Sequence, residues 1–321
     1  MGTNERLELF LNSTKFIIPT REILQLQQSI YKWLDNGVLG AIIYGRPRIG
    51  KTRATQYISN SLKAKYGKNL PVFTLNAYDH IPAINQFYTD MLLALGHPFA
   101  TSGNASVKKQ RLVNTLLTFS LETKFKRIIL FIDEAFYFRE KDYSWLMNIY
   151  NELNSNDVKL TVFMVGTADL KKSKIAMIHA KQQQIVGRFM VHEYEFKGIS
   201  SIADIQVCLS SYDKRLNEDE FREISLTEFY FPEAYAEGKR LISNAGIIME
   251  EFTKTMIENG IDVNSDIPMQ YFINLINYCL RRFGKYGEGI YFPDKKNWRE
   301  SIIESGYIEA ERCEIELSMN F

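Results

Sequence analysis

The sequence contains few cysteines, and their arrangement is not typical of a disulfide framework or a zinc site. There are three cysteines, an odd number, widely spaced and without a C-x-x-C pair: Cys208, Cys279 and Cys313. The four histidines show no metal-ligand spacing: His80, His97, His179 and His192. We therefore expect inert thiols and no zinc-binding module.

Long apolar runs are also absent. No run approaches the roughly 18 apolar residues that a membrane-spanning helix requires, and the N-terminal segment MGTNERLELF lacks a cationic stretch followed by an apolar core. The composition is otherwise ordinary for a globular chain, with 45% hydrophobic and 24% charged residues among 321. The sequence predicts a soluble, cytoplasmic protein of about two or three domains with no membrane partner.

The net charge is only +1, but the charges are distributed unevenly. Residues 101–131 contain six basic residues and one acidic residue, and residues 168–190 contain five and one. Residues 300–316 instead contain six glutamates and one arginine. This asymmetry predicts an anionic partner for one part of the molecule, although a merely solvated face is the alternative for any single run.

Residues 45–52, GRPRIGKT, match the phosphate-binding pattern G-x-x-x-x-G-K-[ST], with Arg48 where many ATPases have another glycine. An apolar run that predicts a buried strand precedes the match, and a segment with helical periodicity follows it. In such loops backbone N–H groups cradle phosphates, Lys51 reaches the β- and γ-phosphates, and the Thr52 hydroxyl ligates Mg²⁺. The alternative is an ordinary glycine-rich turn. The predicted cofactors are ATP and Mg²⁺, and the predicted contacts are Gly45, Arg46, Pro47, Arg48, Ile49, Gly50, Lys51, Thr52 and Arg53.

The segment RIILFIDEAF describes a buried strand that ends in two acids, Asp133 and Glu134. Ligands of open α/β folds bind at the carboxyl ends of the strands, where these side chains would lie. We expect Asp133 to bind nucleotide and hold Mg²⁺ together with Thr52, and Glu134 to polarise the attacking water. Strands often end in acidic turns, but this one follows a phosphate loop by about 80 residues, as its partner would.

Two further residues are candidates for catalysis. The strand predicted within KLTVFMVGTADL ends in Gly166 and Thr167, where an ATPase with an additional strand places a polar side chain that senses the γ-phosphate. A routine threonine in a turn is the alternative. Arg188 lies in IVGRF, just before another predicted strand, and is a candidate arginine finger for the γ-phosphate of a neighbouring subunit.

Predicted strands and helices alternate along the first two-thirds of the chain. An arm at residues 5–15 and an amphipathic helix in PTREILQLQQSIYKWLDNG precede the first strand. NLPVFTLNAY predicts a second strand, and IPAINQFYTDMLLALG a helix. SVKKQRLVNTLLTFSLETK predicts another helix, with Ser106 as N-cap. This alternation predicts an α/β fold with a largely parallel sheet covered by helices on both faces.

The succession GRPRIGKT, ILFIDEA, VFMVGTADL and IVGRF resembles the AAA+ ATPases of the TnsC/TniB family, which regulate transposition. The resemblance runs from about Phe16 to about Asn259 and includes FIIPTREI, LLALGHP and the lid-like SNAGIIMEEFTKTM. The family often carries a charged residue at the position of Arg48. The resemblance implies an AAA+ P-loop core with a small helical lid and a C-terminal tail.

The resemblance also implies the activity and the partners. Relatives assemble with ATP into a ring or helical filament on double-stranded DNA, mark the target site and recruit the transposase, while another protein selects the target. By resemblance, the helix after LLALG faces the DNA backbone inside the oligomer, where contacts position the protein without reading sequence. The implied phosphate contacts are Ser106, Lys108, Lys109 and Arg111.

We divide the chain into an N-terminal arm and helix (1–36), a nucleotide-binding domain (37–199), a helical lid (200–284) and a tail (285–321). Many AAA+ lids carry a nucleotide-contacting arginine at the start of a sensor helix, but residues 244–249 here are NAGIIM. Arg281 and Arg282, one helix later, are expected to be surface charges. The acidic tail is either a docking element for a transposase or target selector, or a helix that packs on the lid.

Two other function classes stay open. One is a DNA-loading ATPase of the initiator or helicase-loader type, which would normally carry an appended DNA-binding module, and the tail after Gly284 is short for one. The other is a P-loop signalling switch without a DNA partner, which predicts no nucleotide-dependent DNA binding.

Overall fold

The computed structural model describes residues 16–215 and 224–319, and the predicted arm at residues 5–15 lies outside them. The described chain divides into two compact units. The α/β unit comprises Gln25–Pro47 and Lys51–Phe196, and the helical unit comprises the described residues up to Leu24, Arg48–Gly50 and those from Lys197 onward. Within the described ranges, no helix is both long and apolar enough to cross a membrane.

The strands of the α/β unit are β1 (Gly40–Tyr44), β2 (Val72–Asn76), β3 (Arg127–Asp133), β4 (Lys159–Gly166) and β5 (His192–Glu195). They form one parallel sheet in the order β2-β3-β4-β1-β5. The helices that alternate with them are α1 (Arg21–Asp35), α2 (Lys51–Tyr66), α3 (Ile84–Ala94), α4 (Ala105–Leu121), α5 (Glu140–Asn154), α6 (Asp169–His179) and α7 (Gln183–Phe189). The predicted α/β fold with a parallel sheet flanked by helices is confirmed.

Burial explains why the strands of this parallel sheet are apolar. All residues of β1 and β3 are buried, and Ile42, Leu130 and Val162 are completely inaccessible to solvent. A strand that is buried on both faces does not alternate apolar with polar residues, because neither face contacts water, so its sequence is a nearly continuous apolar run. The order of the strands places β4 between β1 and β3, as expected of an ATPase with an additional strand.

The helical unit contains α8 (Ile202–Asp213), α9 (Leu226–Tyr230), α10 (Pro232–Ala236), α11 (Ala245–Glu258), α12 (Met269–Phe283), α13 (Lys295–Ile303) and α14 (Tyr307–Met319). Phe272 of α12, Trp298 of α13 and Tyr307 of α14 are fully buried in one shared core. The C-terminal helices are therefore an integral part of this unit. This packing agrees with the second of the two alternatives for the tail, a helix that packs on the lid. The docking role of the tail stays a prediction.

The start of α4 differs from the sequence-based expectation. The N-cap is Asn104, whose side-chain oxygen accepts a hydrogen bond from the backbone N–H of Val107 (3.1 Å). Ser106 lies inside the first turn and is exposed. Asparagine and serine are comparable N-caps, so composition alone did not distinguish the two positions.

Candidate functional site

The phosphate-type loop joins β1 to α2, and two glycines permit its path. A Cβ atom on Gly45 would lie 2.3 Å from the carbonyl oxygen of Phe196, so no larger residue fits there without movement of the backbone. Gly50 has φ +106°, a conformation that favours glycine. The loop thus passes close to neighbouring backbone and leads into the N-terminus of α2, a position at which helices typically bind anions.

Lys51 is the first residue of α2 and is only 8% exposed. Its Nζ atom donates to the carbonyl oxygens of Gly45 (2.8 Å) and Arg46 (2.7 Å). Burial lowers the pKa of Lys51, and the charges of Glu134 and Asp133 oppose that shift. A buried ammonium group that is held over the loop by carbonyls fits a polyphosphate, whose oxygens would supply stronger, charged acceptors.

Thr52 and Asp133 meet at the carboxyl end of the sheet. Thr52 Oγ1 donates to Asp133 Oδ2 (2.8 Å), and the backbone N–H of Glu134 donates to Asp133 Oδ1 (3.0 Å). Asp133 is 5% exposed. A hydroxyl and a carboxylate are oxygen ligands of the kind that Mg²⁺ uses together with substrate phosphates. Among the described residues, no group of three or more His, Cys, Asp or Glu side chains could hold a metal ion.

Glu134 follows Asp133, the proposed Mg²⁺ ligand. The backbone of Glu134 is in a left-handed conformation, with φ 51° and ψ 39°. Its side chain lies at the sheet edge, partly exposed and partly covered by neighbouring residues. Partial burial raises the pKa of Glu134, the neighbouring Asp133 raises it further, and Lys51 opposes the shift. A carboxylate with a raised pKa is a stronger base than an ordinary one, which suits activation of water.

Thr167 lies at the same edge of the sheet. The strand register pairs Tyr44 with Gly166, and the N–H of Gly45 donates to the carbonyl of Gly166 (3.2 Å). Thr167 therefore follows β4 beside the start of the loop, and its hydroxyl donates to Asp169 Oδ2 (3.0 Å). Placement at this edge is compatible with the predicted sensing role, which stays a prediction.

Arg188 is half-buried on α7, and its described contacts are with α5 and α7. Its guanidinium lies over the ring of Tyr150, 5.0 Å from the centroid. Its Nη1 donates to Gln184 Oε1 (3.4 Å) and lies 3.8 Å from the sulfur of Met147. These contacts hold Arg188 on its own unit, and the predicted role as an arginine finger stays a prediction.

The cations proposed to contact DNA are each engaged within the unit. Lys108 is 3% exposed, and its Nζ donates to Thr89 Oγ1 (2.8 Å), so its position does not support a phosphate contact. Lys109 pairs with Glu152 (2.7 Å), and the resulting hydrogen bond raises the pKa of Lys109. Arg111 Nη1 donates to the carbonyls of Phe99 (2.6 Å) and Ser102 (2.8 Å). Helical spacing alone did not show which face of α4 is buried.

The other loop residues differ in exposure. Ile49 is buried and Pro47 is exposed, whereas Arg46 and Arg53 are half-buried, with Arg53 Nη1 3.4 Å from Gln56 Oε1. Arg48 has φ 60°, a left-handed conformation that costs a non-glycine residue roughly 1–2 kcal/mol. Arg48 bonds to Tyr271, a residue that the sequence did not single out because it is one of many apolar positions along a helix.

A family model for the AAA domain matches the segment that contains the loop, the acid pair and Thr167. The match covers residues 39–173. With its five-stranded parallel sheet and flanking helices, the chain has the AAA+ P-loop ATPase fold. Lys51, Thr52, Asp133 and Glu134 lie within the matched segment, whereas residues 174–321, including Arg188, lie outside it.

None of the curated proteins matches this sequence significantly. Among solved structures, Drosophila ORC bound to poly(dA/dT) DNA and Cdc6 is similar at 10% identity and a TM-score of 0.49, over 87% of this chain and 40% of that chain. Cdc6p from Pyrobaculum aerophilum is 15% identical, with a TM-score of 0.43, over 94% and 85% of the two chains. AMPPCP-bound DnaA from Aquifex aeolicus is 14% identical, with a TM-score of 0.36, over 91% and 87%.

This chain thus spans 40% of the length of the ORC chain. Similarity this distant decides nothing about the activity or partners of the AAA domain described here. The resemblance to the TnsC/TniB family stays a prediction from the sequence motifs.

Proposed function

We propose that the protein is a cytoplasmic, ATP-hydrolysing AAA+ regulator of transposition that oligomerises on double-stranded DNA, marks a target site and recruits a transposase. The observation that carries the ATPase part is the meeting of Lys51, Thr52, Asp133 and Glu134 at the carboxyl end of one parallel sheet. The order and spacing of the sequence motifs support the transposition part.

In this proposal the loop binds ATP through its backbone N–H groups and through Lys51, which exchanges the carbonyls of Gly45 and Arg46 for phosphate oxygens. Thr52 and Asp133 would hold Mg²⁺, which neutralises charge on the phosphates. Glu134 accepts a proton from the attacking water, and its raised pKa matches that task.

Thr167 and Arg188 complete the proposed site. Thr167 lies at the sheet edge, where its hydroxyl would sense the γ-phosphate of the bound ATP by hydrogen bonding. Arg188 is supplied to the site of a neighbouring subunit, so that hydrolysis requires a ring or filament. Assembly and turnover are then coupled, because the finger that completes each ATP site belongs to the neighbouring subunit.

We further propose that the DNA contacts are with the phosphate backbone and independent of sequence. Ser106, Lys109 and Arg111 remain the candidates on α4, since Lys108 is buried. Lys109 would exchange Glu152 for phosphate, and Arg111 would exchange the carbonyls of Phe99 and Ser102 for phosphate. A target-selection protein, rather than base contacts, would choose the site.

The experiment is negative-stain imaging of the protein with a non-hydrolysable ATP analogue, with and without each of two unrelated duplexes of equal length. We expect rings or filaments on both duplexes and none without nucleotide. Preference for one duplex by more than about tenfold would favour an initiator-type ATPase, because such a ratio requires sequence readout. No DNA binding in any nucleotide state would favour a signalling switch and would refute the proposal.

A further inference from the structure

Three consecutive residues at the start of α12 contact the tip of the phosphate-type loop. Arg48 Nη1 donates to the hydroxyl of Tyr271 (2.8 Å), and the guanidinium carbon lies 5.8 Å from the centre of that ring. The N–H of Gln270 donates to the carbonyl of Arg48 (3.2 Å). A Cβ atom on Gly50 would lie 3.6 Å from Cβ of Met269. Accordingly, Arg48–Gly50 group with the helical unit by their contacts.

Both hydrogen bonds use groups that need a partner. Gln270 lies in the first turn of α12, where backbone N–H groups have no acceptor within the helix. Tyr271 is 6% exposed, and a buried hydroxyl is costly unless it is hydrogen-bonded. Arg48 is exposed, so a charged side chain from the surface satisfies a polar group of the interior.

The backbone of the loop tip is the feature that these bonds act upon. Arg48 has φ 60° and Gly50 has φ +106°, and successive N–H groups in such conformations form an anion-binding concavity. The left-handed conformation is natural for glycine but strained for arginine, and strain of this kind persists when surrounding contacts over-determine it. At Arg48 the described contacts that do so come from Gln270 and Tyr271.

We propose that Tyr271 is a positioning residue for the nucleotide phosphates: through Arg48 it holds the loop in its phosphate-binding shape before ATP arrives. This inference rests on the proposed ATPase function and adds to it a residue 223 positions from Arg48 along the chain. It also explains how an ATPase loop functions with arginine where glycine is common. The conformational freedom that glycine would supply is replaced by a tether to α12.

The test compares Tyr271→Phe, which removes only the hydroxyl, with the control Tyr278→Phe. Tyr278 lies on the same helix, and its hydroxyl donates to Glu300 Oε1 (2.9 Å). Three quantities are measured: the Kd for a fluorescent ATP analogue with Mg²⁺, the KM and kcat for ATP, and amide hydrogen exchange of residues 45–52 in the nucleotide-free protein.

For Tyr271→Phe we expect Kd and KM to rise about fivefold, since a charged hydrogen bond that organises the loop is lost. We expect kcat to stay within about twofold, because a loop that binds substrate and transition state equally changes KM alone. Residues 46–50 should exchange faster than in the wild type. Tyr278→Phe should match the wild type in all three measurements. A merely structural role for Tyr271 would instead lower the active fraction, and thus kcat, with KM unchanged.

Arg48→Ala provides a second route, since the Arg48 side chain is exposed and its removal takes away the donor to the Tyr271 hydroxyl without shortening an apolar core side chain. We expect it to reproduce the effect of Tyr271→Phe, and we expect the double variant to be no worse than either single variant. Additive losses in the double variant would overturn the proposal, as would wild-type Kd, KM and exchange in Tyr271→Phe.

The variant Lys51→Ala shows whether a negative result contradicts the proposed nucleotide site or only the positioning role of Tyr271. If Lys51→Ala binds the ATP analogue as tightly as the wild type, the proposed nucleotide site is wrong. If Lys51→Ala loses binding while both Tyr271→Phe and Arg48→Ala bind normally, only the positioning role is wrong.

Discussion

Replacement of Glu134 by glutamine tests the assignment of the general base. Glutamine has the same shape as glutamate, and the backbone N–H of residue 134 still donates to Asp133 Oδ1, so the geometry of the edge should persist. The amide cannot accept the proton of the attacking water. Loss of a general base typically lowers the rate by about 10²–10⁴-fold, which corresponds to roughly 3–5 kcal/mol of transition-state stabilisation.

The same substitution should not weaken nucleotide binding. Lys51, which carries the charge that attracts the phosphates, stays in place on the carbonyls of Gly45 and Arg46. Removal of the carboxylate also removes a negative charge beside the proposed polyphosphate site, so the Kd for ATP should be unchanged or lower. The combined expectation is an ATP-bound, DNA-bound oligomer that lives longer than that of the wild type.

The pH dependence follows from the raised pKa of Glu134, whose largest cause is burial. A base acts in its deprotonated form, so wild-type kcat/KM should fall as the pH drops through this raised pKa, at a higher pH than the ordinary value of 4.5. In Glu134→Gln the residual rate should lack that acid limb.

The assay is steady-state phosphate release from ATP across pH, with binding of a fluorescent ATP analogue measured in parallel. Glu195→Gln is the matched control, since Glu195 is an exposed glutamate at the carboxyl end of β5 in the same sheet. We expect the control to turn over normally. Turnover by Glu134→Gln within about threefold of the wild type would refute the assignment, because that loss is far below the range for a general base.

Three further predictions concern the phosphates, the oligomer and the DNA. Lys51→Ala should weaken ATP binding by about 100-fold, the loss expected for two charged hydrogen bonds, and calorimetric titration that finds an unchanged Kd would contradict this. Arg188→Ala should lower turnover by about 10³-fold or more, and mixing it with Lys51→Ala should restore some activity; oligomers of the mixture that stay inactive would remove Arg188 from a shared site. Lys109→Ala should reduce the slope of log K for DNA against log salt by about 0.9, whereas Lys108→Met should leave the slope unchanged because Lys108 is buried; equal slopes for Lys109→Ala and the wild type would exclude a phosphate contact there.

The sequence by itself determined those features that depend on neighbours along the chain. The loop at residues 45–52 was predicted because its glycines, Lys51 and Thr52 form a contiguous pattern between a strand and a helix. The acid pair was predicted because an apolar run ends in Asp133 and Glu134. Parallel strands bring such ends to one edge of a sheet, so the alternation of elements also predicted that the two motifs would meet.

Tertiary structure decided the features that depend on residues far apart in sequence. The resemblance to the TnsC/TniB family implied a phosphate contact for Lys108, but helix α4 packs so that its ammonium group donates to Thr89. The bond between Arg48 and Tyr271 joins residues 223 positions apart, and nothing local in α12 distinguishes that tyrosine from its apolar neighbours. Local patterns specify periodicity and turns, whereas the partner of a side chain is chosen by packing, which brings distant segments together only in the folded chain.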